Sequence, residues 1–286
     1  MFKKKRRWHC LPGQEPTELD KKVMYWENKG KEVPTRDMVR TPEQIEGIRI
    51  AGKLNSQCLD AVAEGIHPGM NTQEIDDICM KFCEDHGCHP SCLNFEGYPK
   101  SVCTSINEVV CHGIPKEEDM LQEGDIVSVD VGAYIGGFHG DCAATFPCGK
   151  LSPEAQDLIN VTRQSFFEGI RFAREGHRLL DISAAIQQYV ESHGYSVVRE
   201  YVGHGVGAQM HEAPEIPNYG HPGRGPRLLR GMTLAIEPMV NAGSAAIRQM
   251  SDGWTVKTLD GKWAAHYENT VLVTDGEPEI LTVPVI

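Results

Sequence analysis

Apolar residues recur along this chain at helical and strand periods, in blocks separated by clear punctuation. After Thr41, the residues Ile45, Ile48, Ala51, Leu54 and Leu59 return near helical spacing and predict an amphipathic helix. Thr41 supplies its N-cap and Pro42 its first helical position, where a missing N–H costs nothing. A second helix is predicted after Asn71-Thr-Gln-Glu74, with Thr72 and Glu74 helping to cap it. Two more are predicted over 153–174, opened by Ser152-Pro153, and over 181–193, opened by Asp181. Short runs rich in Val, Ile and Thr predict strands at 101–106, 125–134, 138–147, 196–202, 232–240 and 265–274. Helices interleaved with antiparallel-looking hairpins indicate an α+β fold class rather than a doubly wound sheet. Residues 1–40 differ: Pro12-Gly13, Pro16 and Pro34 interrupt them and apolar periodicity is poor. They are predicted to form a flexible N-terminal extension ahead of one folded body, 41–286.

The body carries an internal echo. Leu121-Gln-Glu-Gly-Asp-Ile-Val-Ser-Val-Asp130 parallels Leu228-Leu-Arg-Gly-Met-Thr-Leu-Ala-Ile-Glu237. In both segments a turn glycine precedes alternating apolar positions, and both end in an acid. Two pseudo-symmetric halves that meet where those acids fall explain the repeat most economically. Charge is shared unevenly as well. Residues 1–40 hold 11 Lys and Arg against 6 Asp and Glu, whereas the remainder holds 17 against 34. The basic cluster Lys3–Arg7 on an acidic body points either to an anionic partner such as ribosomal RNA or to a solvated tail. No run of about 18 apolar residues is present, so no membrane span is predicted. No apolar stretch follows the basic start, so a secretory signal is not predicted either. The ten cysteines are then read as reduced thiols of an intracellular protein. Cys79, Cys83, Cys88 and Cys92 lie near His86 and His89, but their spacing is not that of paired CxxC zinc ligands, and helical core packing also accounts for Cys79 and Cys83.

The candidate chemistry lies in five residues: Asp130, Asp141, His204, Glu237 and Glu268. Each sits in or beside a short strand-like run, where an unpaired charge is costly to bury unless a cation or partner relieves it. Asp130 and Asp141 are 11 positions apart with Gly136-Gly137 near the midpoint, so a hairpin brings them close together. Two such carboxylates repel unless protons or cations lie between them. His204 is flanked by Gly203 and Gly205, which permit close approach in a binding loop. An oxygen-rich set with a single imidazole suits Mn, Fe(II), Co or Zn. His112 and His211 are further candidates, near a strand end and seven residues beyond His204 respectively.

Several segments, in order, resemble the type I methionine aminopeptidases of the M24 "pita-bread" metallopeptidase family. They are Tyr98-Pro-Lys-Ser-Val-Cys103, Asn107-Glu-Val-Val-Cys-His-Gly-Ile-Pro115, Val129-Asp-Val131 and Gly137-Phe-His-Gly-Asp141, then Val202-Gly-His-Gly-Val-Gly207, Met210-His-Glu212, Ile236-Glu-Pro-Met-Val-Asn241 and Tyr267-Glu268. The resemblance covers about 41–283. It implies pseudo-two-fold halves with a curved antiparallel sheet covered by helices, and removal of the initiator methionine from nascent chains whose second residue is small. It further implies two divalent metal ions: Asp130 on one, His204 and Glu237 on the other, Asp141 and Glu268 bridging, with a bridging water activated for attack on the first peptide bond. Glu237 would handle the proton, and His112 and His211 would hold the substrate and the tetrahedral intermediate. Cys92, Phe95, Tyr98, Cys103, Met210 and Trp254 would line the methionine pocket. Nascent N-termini are the implied substrate, and a monomeric cytoplasmic enzyme is expected.

The chain departs from the family pattern at Phe95, where a tyrosine is expected, and at Asn269, where a histidine is common. Its first forty residues hold one cysteine, Cys10, so they cannot form a cysteine-rich zinc module. Related X-Pro peptidases carry a long N-terminal domain, and type II methionine aminopeptidases an insertion between the second histidine and the glutamate. Only 26 positions separate His211 from Glu237, which leaves no room for that insertion. Non-catalytic pita-bread proteins lack ligands that are all present here.

Overall fold

Local signals start the helices of the first half. The structure, a computed structural model, describes Trp8, Cys10, Gly13 and residues 15–283. Helix α1 spans Glu18–Asn28, α2 Pro42–Gly65 and α3 Thr72–His86. At α2 the expected Thr41 cap forms, paired in a capping box with Gln44. At α3 the cap is Asn71 rather than Thr72. The Asn71 side chain accepts from the Glu74 N–H, while the Thr72 hydroxyl donates to the Lys116 carbonyl. Strands β1 (His89–Pro90), β2 (Val102–Ile106), β3 (Val109–Cys111), β4 (Ile126–Ile135) and β5 (Phe138–Pro147) follow. Gly136 and Gly137, both at positive φ, turn β4 into β5 as expected.

The second half repeats the plan. Helices α4 (Pro153–Ile170) and α5 (Leu179–Ser192) precede ten strands: β6 (Ser196–Val197), β7 (Gly203–Gly205), β8 (Glu212–Ile216), β9 (Thr233–Ile236), β10 (Met239–Asn241), β11 (Ile247–Gln249), β12 (Val256–Thr258), β13 (Ala264–His266), β14 (Glu268–Leu272) and β15 (Glu279–Ile280). Asp181 stands inside the first turn of α5 and bonds back to the Arg178 N–H, so it supports the start without being the cap. Strands β1-β4-β5-β14-β9-β7-β8 form the main antiparallel sheet in that order, with β2 paired to β4 and β15 to β14. The halves meet at β5 and β14, with β4 and β9, the strands of the internal echo, outside them. Helices α2 and α3 pack on the first half. Helices α4 and α5 join the large apolar core of the second, where Phe166, Ile182 and Ile186 are fully buried.

Two predicted strands each break in two. The run 232–240 leaves the main sheet at Glu237-Pro238, where proline cannot donate to a ladder. The run 265–274 breaks at Tyr267, whose N–H bonds to the Pro238 carbonyl. Beyond these breaks β10 and β13 pair with each other, in a small sheet with β6. Of the predicted strand 196–202 only Ser196–Val197 is a strand, and α4 ends at Ile170 rather than 174.

The expectation of a flexible extension does not hold over its described part. Thr17 and Asp20 form the capping box of α1, and Asp20 also accepts from Trp8 Nε1 at 2.8 Å and Arg36 Nη1 at 3.0 Å. Trp8, Val23 and Val33 are buried in the core of the second half. The Lys3–Arg7 cluster lies outside the described residues. Among those described, ligand groups that could hold a metal occur only at the main-sheet site, and not at Cys79 and Cys83, which lie on the buried face of α3. Cys92 lies apart from them, in the apolar cluster with Tyr98 and Cys103.

Candidate metal centre and active site

Strand register puts the five predicted residues on one face of the main sheet. In β4 and β5 Asp130 stands opposite Ala143, and Asp141 lies two residues from Ala143, hence on the same side. Ala143 in turn faces Glu268 on β14. Two residues on, Thr270 faces Ala235 of β9, and Ala235 faces His204 of β7. Glu237 lies two positions beyond Ala235, just where the chain leaves the sheet. Period-2 alternation therefore aims four acids and one imidazole into one cavity of ≈ 770 Å³ between the halves.

Within it, His204 Nε2 lies 3.7 Å from Asp141 Oδ2 and 3.6 Å from Glu237 Oε1. Asp141, His204 and Glu268 offer ligand atoms all within 4.8 Å of one another, and Glu237, His266 and Glu268 form a second such group. Asp130 shares the face and the cavity but belongs to neither group. His266 joins them from outside the five predicted residues. It is 2 % exposed, with Nε2 at 3.9 Å from Glu237 Oε2 and 3.8 Å from Glu268 Oε2. The one available signal was its place two residues before Glu268, inside an otherwise apolar run.

Electrostatics make this cluster costly by itself. Burial pushes the Asp130 carboxyl up to about 7. Asp141 is raised well above the usual carboxylate range by burial and then by Asp130. Glu237 and Glu268 are raised likewise, by burial and then by the neighbouring carboxylates. No Lys or Arg is among the described residues that line the cavity. Burial and the nearby His211 push the His204 imidazole down to about 3, and burial takes His266 to about 3 as well. His204 Nδ1 lies 3.0 Å from the Gly205 carbonyl, which can only accept, so Nδ1 carries the proton and Nε2 presents a lone pair to the acids. Asp130 Oδ1, Glu268 Oε1 and His266 Nε2 are buried without a hydrogen-bond partner. Acid repulsion, a lone pair aimed inward and orphaned donor atoms all fit divalent cations with oxygen and nitrogen ligands.

The remaining candidates surround this centre. His112 stands at φ 56°, in the left-handed region that a non-glycine residue rarely occupies, and Gly113 follows against the Thr104 carbonyl, where a Cβ would sit at 2.0 Å. Burial, with His211 nearby, holds His112 down to about 4, and His211 is lowered by burial too. His211 packs edge-on to His204 at 4.1 Å and to Phe95 at 4.9 Å. Cys92, Tyr98, Cys103, Met210 and Trp254 form an apolar wall with Ile114, in which Tyr98 meets Trp254 edge-on at 5.1 Å. The Tyr98 hydroxyl donates to the Val102 and Gly113 carbonyls, so it braces the wall and leaves the pocket apolar. Thus every predicted site residue lines this one cavity, and Tyr201 and Met239 join it from outside the predicted set.

Comparison with known proteins gives the same picture. Residues 46–275 match the model of metallopeptidase family M24. The chain is 51% identical over 246 residues to the methionine aminopeptidase of Clostridium acetobutylicum, covering 86% of this chain and 98% of that protein. It is 47% identical over 247 residues to that of Escherichia coli K12, covering 86% and 93%. The crystal structure of methionine aminopeptidase from Rickettsia prowazekii superposes with a TM-score of 0.84 at 42% identity, covering 86% of this chain and 99% of that one. A prolidase from Pyrococcus horikoshii shares the fold at a TM-score of 0.69 and 19% identity, covering 87% of this chain and 65% of its own.

Proposed function

The chain belongs to metallopeptidase family M24, and from that premise we infer that it removes the N-terminal methionine of polypeptides by metal-dependent hydrolysis. The observation that carries this reading is the pairing of two sites in one cavity. Uncompensated buried carboxylates with a lone-pair imidazole lie beside an apolar wall of sulfur and aromatic groups. Soft, polarizable groups of that kind suit a thioether side chain.

Asp130, Asp141, His204, Glu237 and Glu268 would hold two divalent ions, with Mn, Fe(II), Co and Zn all compatible with these donors. Such ions supply Lewis acidity toward the scissile carbonyl and toward water. The chain's own residues do the rest. Cys92, Phe95, Tyr98, Cys103, Met210 and Trp254 seat the methionine side chain. His112 and His211, kept neutral by burial, hydrogen-bond the substrate around its first peptide bond. Glu237 takes the proton from the attacking water and returns it to the leaving amine. A small second residue is required in this reading, as the family resemblance implies. The catalytic domain is 41–286, and the enzyme works as a cytoplasmic monomer on nascent chains. Lys3–Arg7 would assist through contacts with ribosomal RNA.

Methionine release from Met-Ala-Ser, Met-Phe-Ser and an Ala-Pro dipeptide tests the reading. Metal-stripped protein is assayed with and without Mn, beside Glu237→Ala. Cleavage of Met-Ala-Ser alone, dependent on metal and absent from the variant, is expected. Preference for Ala-Pro would replace it with X-Pro chemistry, and no turnover with any of the four metals would end the enzymatic reading.

A further inference from the structure

The geometry points to His266 as an additional metal ligand of this chain, whose Nε2 shares an ion with Glu237 and Glu268. The inference rests on the metallopeptidase reading above. Three observations carry it. The ring is buried, and its Nε2 has no hydrogen-bond partner. Its distances of 3.9 Å to Glu237 and 3.8 Å to Glu268 are too long for hydrogen bonds, which need about 2.7–3.2 Å. They are compatible with donors around one ion, since two atoms each about 2.0–2.2 Å from a cation can stand up to about 4.0–4.4 Å apart.

The aim of the ring is built in. The His266 N–H donates to Thr145 Oγ1 at 2.8 Å, and that hydroxyl donates back to the His266 carbonyl at 2.9 Å. Thr145 is held in turn by Ser128 Oγ at 2.8 Å, and His266 pairs with Met239 across β13 and β10. Backbone on both sides is therefore fixed, and from it the imidazole reaches Glu237 and Glu268 with Nε2. His204 stands at Oε1 of Glu237 and His266 at Oε2, so the two imidazoles bracket one carboxylate. A second nitrogen shifts a site toward Fe(II), Co and Zn at the expense of Mn.

The test uses stripped wild-type protein, His266→Gln and His266→Ala, titrated calorimetrically with Co(II) and Mn(II). His266→Ala is expected to weaken one of two bound ions by more than the roughly 10–100-fold seen when a group that only supports a metal ligand is lost. The Co(II) over Mn(II) preference should fall with it, and His266→Gln should lie between. A second readout needs no variant. In Co(II)-loaded wild type with 15N-labelled histidine, two ring N–H signals should carry the large contact shift of metal-bound imidazoles, one from His204 and one from His266. One shifted signal, with unchanged affinities in the variants, would overturn the inference while leaving a two-ion enzyme intact. Wild type that binds no ion and releases no methionine would overturn the metallopeptidase reading together with it.

Discussion

Arg40 lies just outside the predicted catalytic body, yet it ties the first forty residues to the strands that carry the site. Its side chain is 7% exposed, and Nη2 contacts Glu212 Oε2 at 2.6 Å. Nε donates to Thr233 Oγ1 at 3.0 Å, Nη2 to the Val206 carbonyl at 3.3 Å and Nη1 to the Asp37 carbonyl at 2.9 Å. Glu212 follows His211 directly, and Val206 lies two residues after His204. Replacing Arg40 with Met strips one partner from a buried pair, which costs about 3–5 kcal/mol when the other charge is left alone. Glu212 is 18% exposed and keeps the Gln209 N–H at 2.8 Å, so the lower end, about 3 kcal/mol, is expected. In a domain of this size that lowers the melting temperature by about 6–12 °C. Loosening the β7–β8 hairpin should also cost up to about 100-fold in kcat/KM, since displacements near 1 Å have that effect. Thermal unfolding of metal-loaded protein and methionine release from Met-Ala-Ser measure both. Adding Glu212→Met to Arg40→Met should restore most of the stability, because replacing both members of a buried pair is often neutral. A single variant that melts within 2 °C of wild type would refute the reasoning, as would a double variant no better than the single one.

Further outcomes follow from the same geometry. Gly140→Ala places a Cβ 2.6 Å from the backbone of Gly52, so α2 must lift off β5. Denaturant unfolding should show a loss of about 1–3 kcal/mol, the usual range for overpacking. Trp254→Ala removes the edge contact to Tyr98, and steady-state kinetics should show KM for Met-Ala-Ser raised about tenfold or more with a smaller change in kcat. The stripped protein should be most stable near neutral pH. Asp130, raised to about 7, is protonated in the folded state before the unfolded one, so stability grows as pH falls through that value. Below about 6.5 the unfolded chain protonates histidines that His112, His204 and His266 keep neutral down to about 4 or 3, and stability falls again. Melting temperature measured across pH, with and without Mn, checks this. Mn should remove the alkaline decline, and a stripped protein most stable at pH 9 would contradict the account.

What could be read from sequence, and what could not, separates along the range of the forces involved. The Thr41-Pro42 and Ser152-Pro153 starts are local, and both caps form as expected. The five acid and imidazole positions were legible because burying a carboxylate in an apolar strand is costly wherever the strand lies. The β4–β5 hairpin was legible too, since paired glycines and alternation together set its register. Helix α1 was not. Its periodicity is weak, and its place depends on Trp8 and Arg36 closing on Asp20, contacts of 12 and 16 residues' separation. The Thr17-to-Asp20 capping box was the signal that could have revealed it.

The breaks at Glu237-Pro238 and Tyr267 were hidden for a deeper reason, and it bears on chemistry. Each run is apolar on both sides of its break, so periodicity alone reads one long strand. Only the pairing of β10 with β13, away from the main sheet, shows that both chains turn at the same level. That shared turn places Glu237 at a strand end, and it brings His266, from the far side of the break, to within 4 Å of both Glu237 and Glu268. A straight strand through 265–274 would have kept His266 in register on the main sheet, against β5 and β9. The break moves it to the neighbouring small sheet. The acids and imidazole that lie on one continuous ladder were legible in sequence, and the histidine that reaches the cluster from across a break was not. A histidine inside an apolar run two residues from a buried acid therefore calls for the same test as the acid itself: whether anything but a cation could satisfy its inward-facing nitrogen.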